Sequence, residues 1–198
     1  QLQISRSEGE PTQITRLTLD GPGIEVVADA SISGASKGLR TQSNMVLTVD
    51  ALDRFSTLAG RDLAGAGDFT ISSTIVPLEG LFDVLLTGAT SDLSLGIDQI
   101  DNVLAGKGSV NAFAKRDTDG TRLETLQILT DAASLTASAD LQSDGSTAQF
   151  SFETTDVALI EPQITGAAAV TGSVTQSAEG VIDVAVKGTA PATTFDIA

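Results

Sequence analysis

Apolar and polar residues alternate one by one along most of this chain, and that period decides what it can fold into. From position 24, Ile24, Val26, Ala28, Ala30 and Ile32 alternate with Glu25, Asp29, Ser31 and Ser33, interrupted only by Val27. A spacing of two puts successive side chains on opposite faces of an extended strand, so each such segment has one wet and one dry face. The alternation recurs at Leu17 and Leu19; Met45, Leu47 and Val49; Phe69 and Ile71; Phe82, Val84 and Leu86; Val110, Ala112 and Ala114; Leu135, Ala137, Ala139 and Leu141; Phe150 and Phe152; Val170 and Val174; and Ile182, Val184 and Val186. Turn signals separate the runs, among them Asp20-Gly21-Pro22-Gly23, Ser33-Gly34, Asp119-Gly120, Asp144-Gly145 and Glu179-Gly180. Strands punctuated in this way predict a hairpin-connected, mainly antiparallel, all-β fold.

Two segments leave the period. Leu52, Phe55 and Leu58 recur every third position between Asp50, a candidate N-cap, and Gly60, a stop; Ile97, Ile100, Val103 and Leu104 do the same ahead of Gly106. Each predicts a short helix of about two turns packed on the sheet by one face. The sequence also repeats. A shift of 109 carries Ile14, Leu17, Leu19, Val26, Ala28, Ala30 and Ile32 onto Leu123, Leu126, Ile128, Leu135, Ala137, Ala139 and Leu141, and a shift of 100 lays Gly80 to Gly88 on Gly180 to Gly188. Repeat units near 12–106 and 121–198, the second incomplete, imply one continuous β-repeat segment that extends by adding strands. The second unit lacks a counterpart to the helix at Ile97, and Gln1 opens without a basic-then-apolar leader; both imply a piece of a longer chain.

Composition narrows the chemistry. The 198 residues include no Cys, His, Trp or Tyr and seven Phe. Without imidazole or thiol there is no Ser-His-Asp triad, thiolate nucleophile or thiolate metal site, so neither enzymatic activity nor a cofactor is expected. Eleven Lys and Arg against 26 Asp and Glu give a net charge of −15, which opposes a nucleic-acid partner. A hydrophobic fraction of 41% with 19% charged residues sets the chain apart from disordered sequences. No apolar run approaches the roughly 18–20 residues of a membrane-spanning helix, and a membrane barrel wants aromatic girdles that Trp and Tyr would supply.

The remaining motifs read as structure. Gly34-Ala-Ser36-Lys-Gly38 matches the nucleophile-elbow string but lies between strands in a chain without His, so it reads as a turn. Gly106-Lys107-Gly108-Ser109 has the wrong spacing for a phosphate loop. Asp117, Asp119, Asp140 and Asp144 offer oxygens to calcium but lack the alternating loop of such sites; Asp-Gly is turn chemistry, and no metal is expected. Carboxylate pairs for glycoside hydrolysis lack the aromatic platform a sugar site wants.

The one-sided apolar stripe in nearly every strand reads in two ways: a closed core, with stacked sheets or a barrel, or an open trough whose dry face meets acyl chains. Periodicity alone leaves both open. The phrases Ile14-Thr-Arg-Leu17-Thr-Leu19-Asp-Gly21, Val26 to Ile32, Leu58-Ala-Gly60-Arg-Asp-Leu63-Ala-Gly65 and Leu93-Ser-Leu95-Gly-Ile97-Asp-Gln-Ile100-Asp-Asn-Val-Leu104-Ala-Gly106, recurring at Leu123 to Leu141 and Gly180 to Gly188, resemble the periplasmic repeat region of the TamB family. That family belongs to the AsmA-like, bridge-like lipid-transfer group. The resemblance implies an elongated sheet curled into a half-pipe, or β-taco, with an apolar concave face. It implies a groove lined by Ile24, Val26, Ala28, Ala30, Ile32, Met45, Leu47, Val49, Phe69, Ile71, Phe82, Val84, Leu86, Val110, Ala112, Leu135, Ala137, Leu141, Phe150, Phe152, Ile182, Val184 and Val186.

The implied function is transport of phospholipid, held by its acyl chains, from inner to outer membrane in the periplasm of a Gram-negative cell. The full protein would be anchored in the inner membrane, partnered by an outer-membrane Omp85 protein of the TamA type, and linked to outer-membrane protein and autotransporter assembly. The alternatives are a structural or adhesin-like closed β-repeat, and a chaperone-like groove that takes up outer-membrane protein strands along a sheet edge.

Overall fold

The computed structural model of the chain describes residues 1–5, 12–34, 38–191 and 194–195. Its strands are β1 (Leu2–Ser5), β2 (Thr12–Gly21), β3 (Ile24–Ser33), β4 (Arg40–Val49), β5 (Ala64–Val76), β6 (Leu81–Ser94), β7 (Lys107–Arg116), β8 (Thr121–Thr130), β9 (Ala133–Gln142), β10 (Gly145–Thr154), β11 (Ile164–Thr165), β12 (Ala168–Ser177), β13 (Ile182–Thr189) and β14 (Thr194–Phe195). Twelve of them form one long, curved antiparallel sheet in the order β1 to β10, then β12 and β13, each strand bonded to its neighbours in sequence. The small pair β11–β14 stands apart. This is the meander that alternation and hairpin punctuation predict.

Curvature has a local cause. Between Ile14 and Leu17 in β2, and again between Leu123 and Leu126 in β8, two residues on one strand oppose a single residue of the next strand: Asp29 in β3 and Ser138 in β9. These are β-bulges, which bend a strand and increase its twist. They lie at positions that the shift of 109 superimposes. The strand β1 meets β2, and β7 meets β8, with a matching step in register, between Gln3 and Ile4 in one case and between Phe113 and Ala114 in the other. The irregularity repeats with the sequence.

The longer connections all fall at one end of the sheet. Helix α1 is a 3₁₀ turn, Leu52–Phe55, running into an α-turn, Ser56–Ala59, and joins β4 to β5; α2 (Asp98–Leu104) joins β6 to β7; a further 3₁₀ turn, Val157–Leu159, lies between β10 and β12. The opposite end carries the β5–β6, β7–β8, β9–β10 and β12–β13 turns, while the tight β2–β3 and β8–β9 turns share the end with the helices. Gly60 ends α1 in the left-handed conformation at φ 69°, as its place after an apolar triplet predicts. Two details differ from expectation. Asp50 does not cap α1: Ala51 occupies that position without a side-chain bond, while the Asp50 N–H donates to the Gly23 carbonyl of the β2–β3 turn. Leu58 does not pack on the sheet; it is 88% exposed, because the helix is too short to bring a third turn-spaced residue back onto the strands.

Candidate functional site: the apolar face

Directly opposed residues in an antiparallel ladder project to the same side, so the register fixes which residues share a face. Starting from Val26, the pairs run Val26–Leu47, Leu47–Phe69, Phe69–Gly88, Gly88–Val110 and Val110–Ile128. They continue through Ile128–Leu135, Leu135–Phe152, Phe152–Val170 and Val170–Gly188. Extended along each strand, this register puts all 23 residues named above on one face, joined by Leu2, Ile4, Ile14, Leu17, Leu19, Ile75, Ala114, Leu123, Leu126, Ile128, Ala139, Val170 and Val174. Among its paired residues that face carries one formal charge, Arg116, opposite Phe82 and Thr121 at the hairpin end. The other face holds Glu25, Asp29, Asp68, Asp83, Lys115, Arg122, Asp140, Glu153, Asp183 and Lys187.

Nothing stacks on the apolar face among the described residues. Val49 is the one hydrophobic residue there that reaches full burial, at 7% exposure, and no side chain falls below 2%. Residues of the middle strands such as Met45, Ile71, Val84, Leu86 and Leu135 are half-buried by same-face neighbours alone. Toward the last strand cover thins: Phe150 is 37% exposed, and Ile182, Val184 and Val186 exceed 60%. The strand order is also open, with β1 and β13 paired on one side only. With strand spacing near 4.8 Å and about 3.3 Å per residue, twelve ten-residue strands present a face of roughly 33 by 53 Å.

Two aromatic rings lie across glycines on this face. A Cβ built on Gly172 in β12 collides with the Phe150 ring from β10, and one on Gly88 in β6 collides with the Phe69 ring from β5. Each glycine is the directly opposed partner of its Phe, so the missing side chain is the space the ring occupies. This covers backbone that a strand glycine otherwise leaves bare. Sequence reading placed both Phe on the face but not their glycines; the signal was a Gly in the apolar register of a strand.

Carboxylates secure the rim where the helices sit. Asp101, in α2, accepts from the N–H groups of Leu95 (2.6 Å), Gly96 (3.1 Å) and Ile97 (3.1 Å) and from the Ser94 hydroxyl (2.8 Å). Its pKa is lowered below the ordinary 3.8, chiefly by the Leu95 N–H. Asp156 accepts from Gly166 N–H (2.9 Å) and Ala158 N–H (3.1 Å), and its pKa is lowered by those two bonds in that order. Asn102 of α2 donates to the Leu159 carbonyl at 3.1 Å, linking two of the connections into one row.

Three of the four acids weighed as calcium ligands, Asp117, Asp119 and Asp140, surround a cation of the chain's own. Arg122 on the polar face reaches Asp117 at 2.7 Å, Asp119 at 3.7 Å and Asp140 at 3.9 Å. Its Nε and Asp140 Oδ1 are buried without a hydrogen bond and face each other across that last gap. Asp117 is lowered first by the Asp119 N–H and then by Arg122. The cation amid these acids is a guanidinium. Among the described residues no group of three or more acids converges in a metal-binding arrangement. Of the elbow-like string at Gly34, residues 35–37 lie outside the described residues.

Hollows lie on the polar face, which the sequence did not suggest. One of about 720 Å³ spans β8 to β13 and is lined mainly by polar-face residues, including Gln127, Thr136, Ser138, Gln149, Ser173 and Lys187. Small hydroxyl side chains leave it open. Its lining includes two charged side chains, Glu124 and Lys187.

Fold and face together define a single-layer, open β-meander with one nearly uncharged side. Compared with known proteins, the chain matches no family model, no curated protein and no solved structure. No described helix is long and apolar enough to cross a membrane.

Proposed function

We propose that the apolar face holds lipid acyl chains, and that the chain is a periplasmic segment of a TamB-like protein carrying phospholipid between membranes. One observation carries the reading: an apolar face twelve strands long, with a single charge among its paired residues, has no second layer over it among the described residues. A soluble chain rarely leaves a patch above a few hundred Å² uncovered unless something occupies it. Acyl chains fit the surface chemically, because each CH₂ taken from water gains about 0.8 kcal/mol without directional contacts. Uniform, non-directional contact along successive strands lets lipid move between equivalent positions. Headgroups stay in water at the margins, away from the acidic opposite face. Coupling to an Omp85-type partner and to outer-membrane protein assembly belongs to the same proposal through the sequence resemblance alone.

The test is native mass spectrometry of protein purified from a bacterial periplasm, with and without Leu86→Asp. Leu86 faces Ile71 and Ala112, so a carboxylate there finds no cation; at Val84, Arg116 would stand diagonally across. Wild type carries phospholipid, and the folded variant, checked by circular dichroism, carries several-fold less. Absence of lipid from wild type, or undiminished lipid on the variant, overturns the proposal.

A further inference from the structure

The one charge among the paired residues of the apolar face stands at the margin of that face. Arg116 ends β7 at the hairpin end of the sheet, with Phe82 of β6 and Thr121 of β8 directly opposite. Followed across the strands, its row also holds Thr41, Ser146 and Gln176. The rows through Leu86 and Gly88, further in, hold no polar side chain among their paired residues. On β7 the step from Arg116 to Val110, in the row of Gly88, covers about 20 Å of strand. One leaflet's half of a bilayer's hydrocarbon is about 15 Å deep. Polar margin and apolar band are therefore spaced as a headgroup and its acyl chains are.

Arg116 is exposed, and its guanidinium makes no ion pair or hydrogen bond with the described residues, in a chain where 26 acids outnumber 11 bases. The acids of its own hairpin are engaged on the other face: Arg122 gathers Asp117, Asp119 and Asp140, and Lys115 pairs with Glu124. An arginine stem lies along apolar surface while its head stays in water, and the planar head meets a phosphate with two parallel hydrogen bonds. We infer that the lipid on this face is seated by its phosphate on Arg116, with the Thr121 hydroxyl beside it and the acyl chains lying along β6 to β8 toward the helix end. The inference rests on the acyl-chain reading above and adds to it a headgroup class and an orientation.

The test offers wild type, Arg116→Gln and Arg116→Lys to vesicles of phosphatidylethanolamine holding a minor share of diacylglycerol with the same acyl chains. Bound lipid is read by native mass spectrometry and normalised to abundance in the vesicle. Wild type favours the phospholipid roughly two- to fivefold, the size of an exposed ion pair's contribution, and the preference shrinks in high salt. Arg116→Gln, checked for folding by circular dichroism, binds a similar total of lipid without preference; Arg116→Lys, with the charge but not the fork, falls between. Inorganic phosphate alone leaves the Arg116 guanidinium resonances of labelled protein in place, because without acyl chains nothing holds an anion against a net charge of −15. Lipid on wild type with no headgroup preference, or a preference undiminished in Arg116→Gln, overturns this inference and leaves the acyl-chain reading standing. A response to inorganic phosphate equal to that of phospholipid overturns it too, by making Arg116 a site for the free ion. Wild type that takes up neither lipid overturns the acyl-chain reading, and this inference with it.

Discussion

Gly172 carries no strained backbone angle; its reason to be glycine is the Phe150 ring lying on it. That makes the sign of a substitution depend on its partner. In the natural chain, Gly172→Ala forces the ring off its place or the strands apart, an overpacking that costs about 1–3 kcal/mol. Phe150→Ala alone removes a ring 37% exposed; a fully buried Phe costs about 3–5 kcal/mol to truncate, so roughly 2–3 is expected here. Once the ring is gone, the three atoms nearest to the new methyl are gone with it, and Gly172→Ala recovers the roughly 0.5–1 kcal/mol that a mid-strand glycine forfeits relative to alanine. The same mutation therefore destabilises in one background and stabilises in the other, with a coupling of about 1.5–4 kcal/mol. Urea denaturation of the four proteins followed by far-ultraviolet circular dichroism measures it. Equal effects of Gly172→Ala in both backgrounds would refute the role given to the ring.

Further outcomes follow from the rim, the ion cluster and the bulges. Asp101 has a folded pKa below its ordinary 3.8, so its contribution is complete above that value and is lost as pH falls through the lowered one; the melting-temperature gap between wild type and Asp101→Asn is full at neutral pH and closes in acid, whereas a pH-independent gap contradicts the bonding described. Arg122→Ala leaves Asp117, Asp119 and Asp140 facing each other, lowering the melting temperature by an amount that shrinks in high salt as repulsion is screened; a salt-independent loss would point to packing instead. Deleting Glu124 removes the extra residue of the β8 bulge and keeps Leu123 and Leu126 on the apolar face, so the chain folds with reduced curvature, read as altered small-angle scattering; an unchanged profile removes the bulge as a cause of the bend.

Strands were legible because alternation is a property of single residues, and burial of one face leaves no freedom in which side chains point together. That is why the apolar residues from Ile24 to Val186 share a face even though no long-range pairing was specified in advance. The bulges are written in the sequence too, as the three-residue gap in Ile14, Leu17, Leu19 and in its copy Leu123, Leu126, Ile128, which a period of two accommodates only with one extra residue. Leu58 misled because a spacing of three predicts a helix face only when the helix lasts long enough to use it. The choice between closed core and open sheet was not legible at all. Val49 buried and Val184 exposed belong to identical patterns, and what separates them is their place in the sheet, Val49 in β4 between two strands and Val184 in β13, paired with β12 alone among the described residues.

The central claim rests on which face meets lipid, and β6 provides the sharpest test. A photo-crosslinking amino acid placed in turn at Asp83, Val84, Leu85, Leu86 and Thr87, in protein recovered from a bacterial periplasm, reads both faces within one strand. Leu85 is the internal control, apolar yet on the polar side opposite Ser72 and Phe113. The account predicts phospholipid adducts at Val84 and Leu86 and none at Asp83, Leu85 or Thr87. Adducts without that alternation, or confined to the other face, would contradict it.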